Sequence, residues 1–347
     1  MTKLRKRGEE IRGFILDIIE NNATKMIPQT MKKFNITRQA VFQHIQHLIK
    51  QGTLIHTNYG SYELRPQEEW SETISIADNP QEDVVWRNRI APRIGKLPDN
   101  ALDIWHYGFT EMLNNVVDHS ESGTVLIKIK KTAYTTQIDL VDSGVGIFNK
   151  IRNSMNLLDE RHAVLELTKG KLTTDPKRHT GEGVFFTSRM LDVFYILSGE
   201  VFLTHSYGKE EDWILQTSEN YNGTWISMKL KNNTSRTTKE IFHKFSDDDY
   251  GFTKTVVPVR LAQYGNEKLV SRSQAKRLLE RVDRFKTVLF DFTEVEIIGQ
   301  AFADEVFRVF ANEHPQIEIL PIRANPAVLQ MIQKAKSGVS QDQGQLF

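Results

Sequence analysis

Glu111 and Asn115 stand four residues apart in Asp99-Asn-Ala-Leu-Asp-Ile-Trp-His-Tyr-Gly-Phe-Thr-Glu-Met-Leu-Asn-Asn-Val-Val-Asp-His119. Its apolar residues Leu102, Trp105, Phe109, Met112, Leu113, Val116 and Val117 recur at helical intervals. On a helix that spacing stacks a carboxylate above an amide, with Asp118 close to a further turn along. An amide oxygen suits Mg2+, which takes oxygen ligands and keeps several waters beside triphosphate oxygens, and a Glu one turn away can orient or deprotonate a water. In Asp142-Ser-Gly-Val-Gly146 a carboxylate can accept a hydrogen bond from an exocyclic amine such as that of adenine, while glycines allow a tight reversal and close backbone approach. His179-Thr-Gly-Glu-Gly183 precedes small residues that open a helix, so Gly181, Glu182 and Gly183 can present main-chain N–H groups to phosphate. Taken singly, each of these stretches is better accounted for by a polar helix stripe or an ordinary turn.

Their chemistry depends on the elements that carry them. Alternation over Val125 to Ile129 and over Gln137 to Val141 predicts hairpin strands, the second running directly into Asp142. Gly223-Thr-Trp-Ile-Ser-Met-Lys-Leu230 reads as another strand. Before them, residues 66 to 98 form a mixed segment punctuated by Pro66, Pro80, Pro92 and Pro98.

The order and spacing of these four stretches resemble the GHKL ATPase/kinase superfamily, over roughly residues 70 to 232. The resemblance implies an α/β sandwich, with helices on one face of a mixed sheet, holding Mg-ATP between a helix and a lid. It implies that Glu111 is the general base and Asn115 the magnesium-binding residue. It makes Asp142 the adenine-reading carboxylate, helped by Thr224, with Gly144 and Gly146 at the base of the lid. Gly181 and Gly183 then contact phosphate, the lid spans about Phe148 to Thr180, and a homodimer is a family-based expectation. A phosphoacceptor histidine on a dimerising hairpin, which a histidine kinase needs, has no counterpart before this region, and His106 lies inside the nucleotide-domain helix instead.

Residues 1 to 67 contain 11 Lys/Arg against 5 Asp/Glu, although the whole chain is close to neutral at +1. Such local basicity points to an anionic partner. Ile11, Phe14, Ile15, Ile18 and Ile19 follow helical spacing, Pro28 fits the first turn of a second helix, and Thr37 is placed to cap a third. On that third helix Val41, Ile45 and Leu48 share a face. Thr53 to Leu64 reads as two short strands about a turn at Asn58 to Ser61. Three helices and a hairpin make a winged helix-turn-helix, in which Arg38, Gln39, Gln43 and Lys50 can meet double-stranded DNA. A solvated helix face gives the same pattern.

From about residue 250 strands alternate with helices: Phe252 to Val257, Ser271 to Phe285, Thr287 to Phe292, Phe302 to Ala311, Ile317 to Leu320 and a last short helix. This stretch resembles a STAS-like domain through Asp291-Phe-Thr-Glu-Val295 and Phe302-Ala-Asp-Glu305, which implies a docking surface for a protein partner. Where the family's antagonists carry a phosphorylated Ser or Thr, this chain reads Ile298-Gly-Gln300, with no hydroxyl.

The expected organisation is multidomain α/β: a winged helix (1–67), a GHKL domain (70–232), a STAS-like domain (250–336) and a disordered tail (337–347). With no cysteine, disulfides, thiolate metal sites and a Cys nucleophile are excluded. No apolar run reaches transmembrane length, so the expectation is a cytoplasmic protein without a membrane. Its expected function is that of an ATP-dependent switch with ATP and Mg2+ as cofactors. A serine/threonine kinase of the anti-sigma-factor type and a non-catalytic nucleotide sensor are the alternatives.

Overall fold

The structure is a computed structural model that describes residues 3–21, 25–57, 61–172, 181–208, 213–247, 251–263 and 267–337. Three helices come first, α1 (Lys3–Glu20), α2 (Met26–Phe34) and α3 (Arg38–Lys50), followed by the strands β1 (Leu54–His56) and β2 (Tyr62–Leu64). The Thr37 hydroxyl accepts the Ala40 N–H at 3.2 Å and so caps α3. β1 and β2 pair antiparallel with Ile55 opposite Glu63. Of the expected turn, residues 58–60 lie outside the described residues. Ile11, Ile15, Val41, Ile45, Leu48 and Leu54 form a core made entirely within this segment.

The middle of the chain builds β3 (Pro66–Ser75), α4 (Glu82–Val85), a π turn (Trp86–Ile90), α5 (Ala91–Ile94), α6 (Asp99–His119), β4 (Thr124–Thr132) and β5 (Thr135–Asp142). It continues through α7 (Ile147–Met155), α8 (Glu160–Lys169), α9 (Gly183–Met190), β6 (Val193–Ser206), β7 (Trp213–Lys231) and α10 (Thr238–Phe245). The strands form one sheet in the order β3-β4-β5-β7-β6, and every pairing in it is antiparallel. Val125, Ile127 and Ile129 of β4 and Ile138 and Leu140 of β5 are buried, as are Trp105, Phe109, Met112 and Leu113 of α6. This is the alternating strand face against the apolar stripe of a helix.

β3 differs from the mixed segment expected there. Its half-buried face alternates Glu68, Trp70, Glu72 and Ile74. Glu68 pairs with Arg93 and Glu72 with Arg89, each at 3.1 Å. Charges thus replace apolar residues at two of the four inward positions, and hydropathy alternation is lost. The π turn lies directly ahead of Pro92, which has no N–H to give to a regular α-helical ladder.

The carboxy-terminal module consists of β8 (Lys254–Pro258), α11 (Arg272–Leu279), β9 (Thr287–Asp291), α12 (Gln300–Asp304), α13 (Ala311–Glu313), β10 (Glu318–Ile322) and α14 (Pro326–Lys336). Its strands form a parallel sheet in the order β10-β9-β8. The chain thus holds antiparallel and parallel pairing in separate sheets, where the resemblance implied one mixed sheet. α11 starts from a Ser271/Gln274 capping box and stops short of the expected Phe285, because Arg281 turns into the left-handed region at φ 58°. The tail from residue 338 lies outside the described residues.

One apolar core runs from the central sheet into the carboxy-terminal module. The Phe252 ring packs with its centre 4.7 Å from that of Phe185, 4.9 Å from Phe186 and, edge-on, 5.2 Å from Phe285, so rings from both halves form a single cluster. Residues 1–66 expressed alone are therefore expected to give a helical circular-dichroism spectrum and a cooperative melt. Residues 250–337 alone, stripped of Phe185, Phe186 and Phe245, are expected to give no cooperative melt. A sharp transition from the second fragment would contradict the shared core.

Candidate ligand-binding site

A cavity of about 410 Å3 opens between α6, β5, β7 and α7 to α9. Glu111, Asn115, Asp142, Gly181, Gly183 and Thr224 all line it, although more than a hundred residues separate the first from the last. β5 and β7 pair with Asp142 opposite Thr224, which sets those two side by side. The Thr224 hydroxyl accepts the Ile147 N–H at 3.1 Å and ties the start of α7 to the same place.

Asp142 is 4 % exposed, and its Oδ1 accepts the Gly144 N–H at 2.9 Å. Burial holds this carboxyl above the usual carboxylate range, against the pull of hydrogen bonds from Gly144 and Thr224. Gly144 itself lies behind the cavity wall. A Cβ there would stand 1.9 Å from the Ser120 carbonyl oxygen, so only glycine lets this turn pass the end of α6. Gly146 likewise lies behind the wall and leads into α7.

Glu111 sits two helical turns further up α6. A Cβ on Gly183 would fall 2.0 Å from Glu111 Oε2, so the carboxylate lies against the first residue of α9, where helix N–H groups favour negative charge. Glu182 is outside the cavity wall. Burial raises its carboxyl above the ordinary value, with the Lys171 ammonium acting in the opposite sense. Burial together with the charges of Glu111 and Glu182 pushes the Tyr107 phenol far up, which keeps it protonated.

Several wall residues were not singled out from sequence: Asn114, His119, Ser120, Lys150 and Leu172 among them. His119 was legible in principle, because it continues the four-residue spacing from Glu111 and Asn115. Asp118, read there as the next polar position, is exposed. Lys150 ion-pairs with Glu121 at the edge of the wall.

The expected lid needs correction. Residues 148–180 contain α7 and α8, and α8 is buried from His162 through Lys169. Of the expected lid, residues 173–180 lie outside the described residues. The Leu172 N–H donates to the Gly181 carbonyl at 3.1 Å. Inside α8, one ligand atom each from His162 and Glu166 and one from Glu280 lie within 4.8 Å of one another, a metal-like tripod. The Lys169 ammonium already sits 2.6 Å from Glu166 Oε1, and Arg281 lies 3.5 Å from Oε2, so cationic side chains neutralise the carboxylate that a metal would need.

The remaining sequence-predicted residues lie elsewhere. Arg38, Gln39, Gln43 and Lys50 are all exposed, Gln39, Gln43 and Lys50 on the face of α3 opposite buried Val41, Ile45 and Leu48 and Arg38 at its first position. Asp304 pairs with Arg308, and Glu305 lies 3.9 Å from Lys276, both carboxylates being half-buried and paired within the carboxy-terminal module.

The raised carboxyl of Asp142 means that its ionised form costs folding free energy at neutral pH, and that this cost is relieved as pH falls through the folded-state pKa. Asp142→Asn is therefore expected to raise the melting temperature of the ligand-free protein by a few degrees at pH 7. The gain should vanish in acid, where the wild-type carboxyl is protonated. A lower melting temperature at pH 7 would show that the lost charge-assisted bonds outweigh desolvation.

Comparison of the chain with curated proteins gives no match. Residues 274–329, from within α11 to within α14, match the family model described as a STAS-like domain of unknown function (DUF4325).

Proposed function

We propose that this chain is an Mg-ATP-binding ATPase of the GHKL kind, working as a nucleotide-dependent switch joined to a DNA-binding winged helix and a STAS-like protein-docking module. The observation that carries this reading is convergence. Residues from three separate stretches chosen for their chemistry, and Thr224 from a fourth implied by the resemblance, border one cavity, whose volume of about 410 Å3 falls within the ordinary range for small-ligand sites. Along α6 the wall runs from Glu111 to Ser120, about 13 Å at 1.5 Å per residue, which is the scale of an extended mononucleotide.

In this reading the base lies against Asp142 and Thr224, among Ile147, Ile151 and Ile226, where a carboxylate accepts from an exocyclic amine. The phosphates lie toward Gly181, Gly183 and the first N–H groups of α9. Asn115 offers an oxygen to Mg2+, which when bound neutralises phosphate charge. Glu111 would orient or deprotonate the attacking water. The exposed face of α3 would meet DNA, with Arg38 and Lys50 on phosphates and Gln39 and Gln43 on base edges.

Purified protein with Mg-ATP is expected to release phosphate. Glu111→Ala should lower turnover by about 10²- to 10⁴-fold, the usual contribution of a positioned base, and retain nucleotide binding. Asp142→Asn should weaken ATP binding, and unchanged affinity would remove the base contact. Phosphate found on a co-purified STAS protein in place of solution would establish a kinase, and binding without turnover would leave a sensor.

Residues 1–66 are expected to bind duplex DNA with an affinity that falls steeply as salt rises. Failure to bind even at low ionic strength would remove DNA as a partner.

A further inference from the structure

Residues 167–172 face two ways. Leu167 and Leu172 line the cavity. Between them, every long polar side chain is bonded toward the carboxy-terminal module. The Lys169 ammonium, almost wholly out of solvent, donates to the Glu280 carbonyl at 2.7 Å and the Arg277 carbonyl at 3.2 Å, as well as to Glu166. It thereby satisfies carbonyls at the end of α11, where a helix leaves them without partners. The Thr255 hydroxyl donates back to the Lys169 carbonyl at 2.6 Å. Two residues on, the exchange is reciprocal: Lys171 donates to the Arg284 carbonyl and Arg284 donates to the Lys171 carbonyl, each at 3.0 Å. The Lys171 ammonium also lies 4.8 Å from the centre of the Phe285 ring. The next residue, Leu172, donates its N–H to the Gly181 carbonyl.

We propose that this six-residue stretch is a strut by which the STAS-like module positions the phosphate side of the cavity, so that bound nucleotide and the docked state of that module stabilise each other. The inference rests on the nucleotide reading of the cavity. Its physical basis is linkage. A ligand that fixes Leu172 and Gly181 also fixes Lys171 and Lys169, and with them the segment 277–284; any strengthening in one direction appears equally in the other. Lys171 and Arg284 are positioning residues in this scheme, since neither borders the cavity.

The test uses the full-length protein and ATP with magnesium. Hydrogen exchange of residues 272–284 should slow when nucleotide saturates the wild type. Lys171→Ala and Arg284→Ala should each raise the ATP dissociation constant about tenfold, toward the lower end of ordinary coupling strengths. Their ligand-free melting temperatures should stay near that of the wild type. Lys169→Met should do more, but it can also unfold the protein, so the decision rests on the two milder variants. Unchanged ATP affinity in both variants overturns the proposal, as does unchanged exchange of 272–284 in the saturated wild type. A wild type that binds no ATP overturns the nucleotide reading itself, and the strut proposal with it.

Discussion

A carboxylate held out of water at Asp142 sets terms for the whole cavity. Its effective desolvation cost is several kcal/mol before compensation, so the structure must supply donors at fixed positions. One is the Gly144 N–H, which reaches Asp142 only because the turn passes tightly over the Ser120 carbonyl. The Val145 N–H donates to that carbonyl at 2.9 Å, so α6 must end there. Once the end of α6 is fixed, helical pitch fixes Glu111 two turns back, against the first residue of α9. The position of the proposed base thus follows from the hydrogen bonding of a residue more than thirty places away. Burial leaves Asp142 with a raised carboxyl, an unrelieved cost of the kind that clusters at functional sites.

The second costly group is Lys169. Burial draws its pKa down and the Glu166 carboxylate pushes it back up. Its ammonium has three acceptors, so each of its protons is used. Around it, Arg281 balances Glu166, and His162 approaches Glu280 at 3.2 Å, where its hydrogen bond holds the Glu280 carboxyl below its usual range. Such a network adds little net stability compared with an apolar core, yet removing one member leaves an uncompensated charge. It therefore enforces one arrangement of α8 against α11, while the phenylalanine cluster around Phe252 supplies the apolar burial.

The elements legible in the sequence were those whose signals are local. Thr37 capping α3, the stripe of Val41, Ile45 and Leu48, and the run of β5 into Asp142 each depend on neighbours within a few residues. The site was legible for the same reason: Glu111 and Asn115 share a helix face whatever the rest of the chain does. What escaped were elements whose polar residues find partners far away. Glu68 and Glu72 read as solvated charges until Arg93 and Arg89 are brought beside them. His162, Glu166 and Lys169 of α8 fell inside the expected lid, because their partners among residues 277–281 lie over a hundred residues ahead. Hydrophobic periodicity assigns charge to the surface, and it fails wherever a fold buries charge in pairs.

The two outer modules are attached by different kinds of bond, and this bears on how a switch could use them. The carboxy-terminal module shares the central core, so separating it would expose Phe252 and strand Lys169. The amino-terminal module has a core of its own, and α1 is tied to the sheet by polar bonds: Asp17 to Lys231 at 2.6 Å and to the Tyr134 hydroxyl at 3.2 Å, and Glu20 to Lys229 at 2.9 Å. Pairs as exposed as Asp17 and Lys231 contribute about 0.2–1 kcal/mol each and weaken with salt. Lys231 pairs with Thr135 across the sheet, at the end of β5 away from Asp142, so these bonds sit far from the cavity along the same strands. A free-energy difference of a few kcal/mol between two states of the cavity is enough to break the amino-terminal attachment and too small to break the carboxy-terminal one. If the cavity binds nucleotide as proposed, motion driven from it would therefore find its cheapest outlet in the orientation of the amino-terminal module, with the carboxy-terminal module moving together with the central sheet.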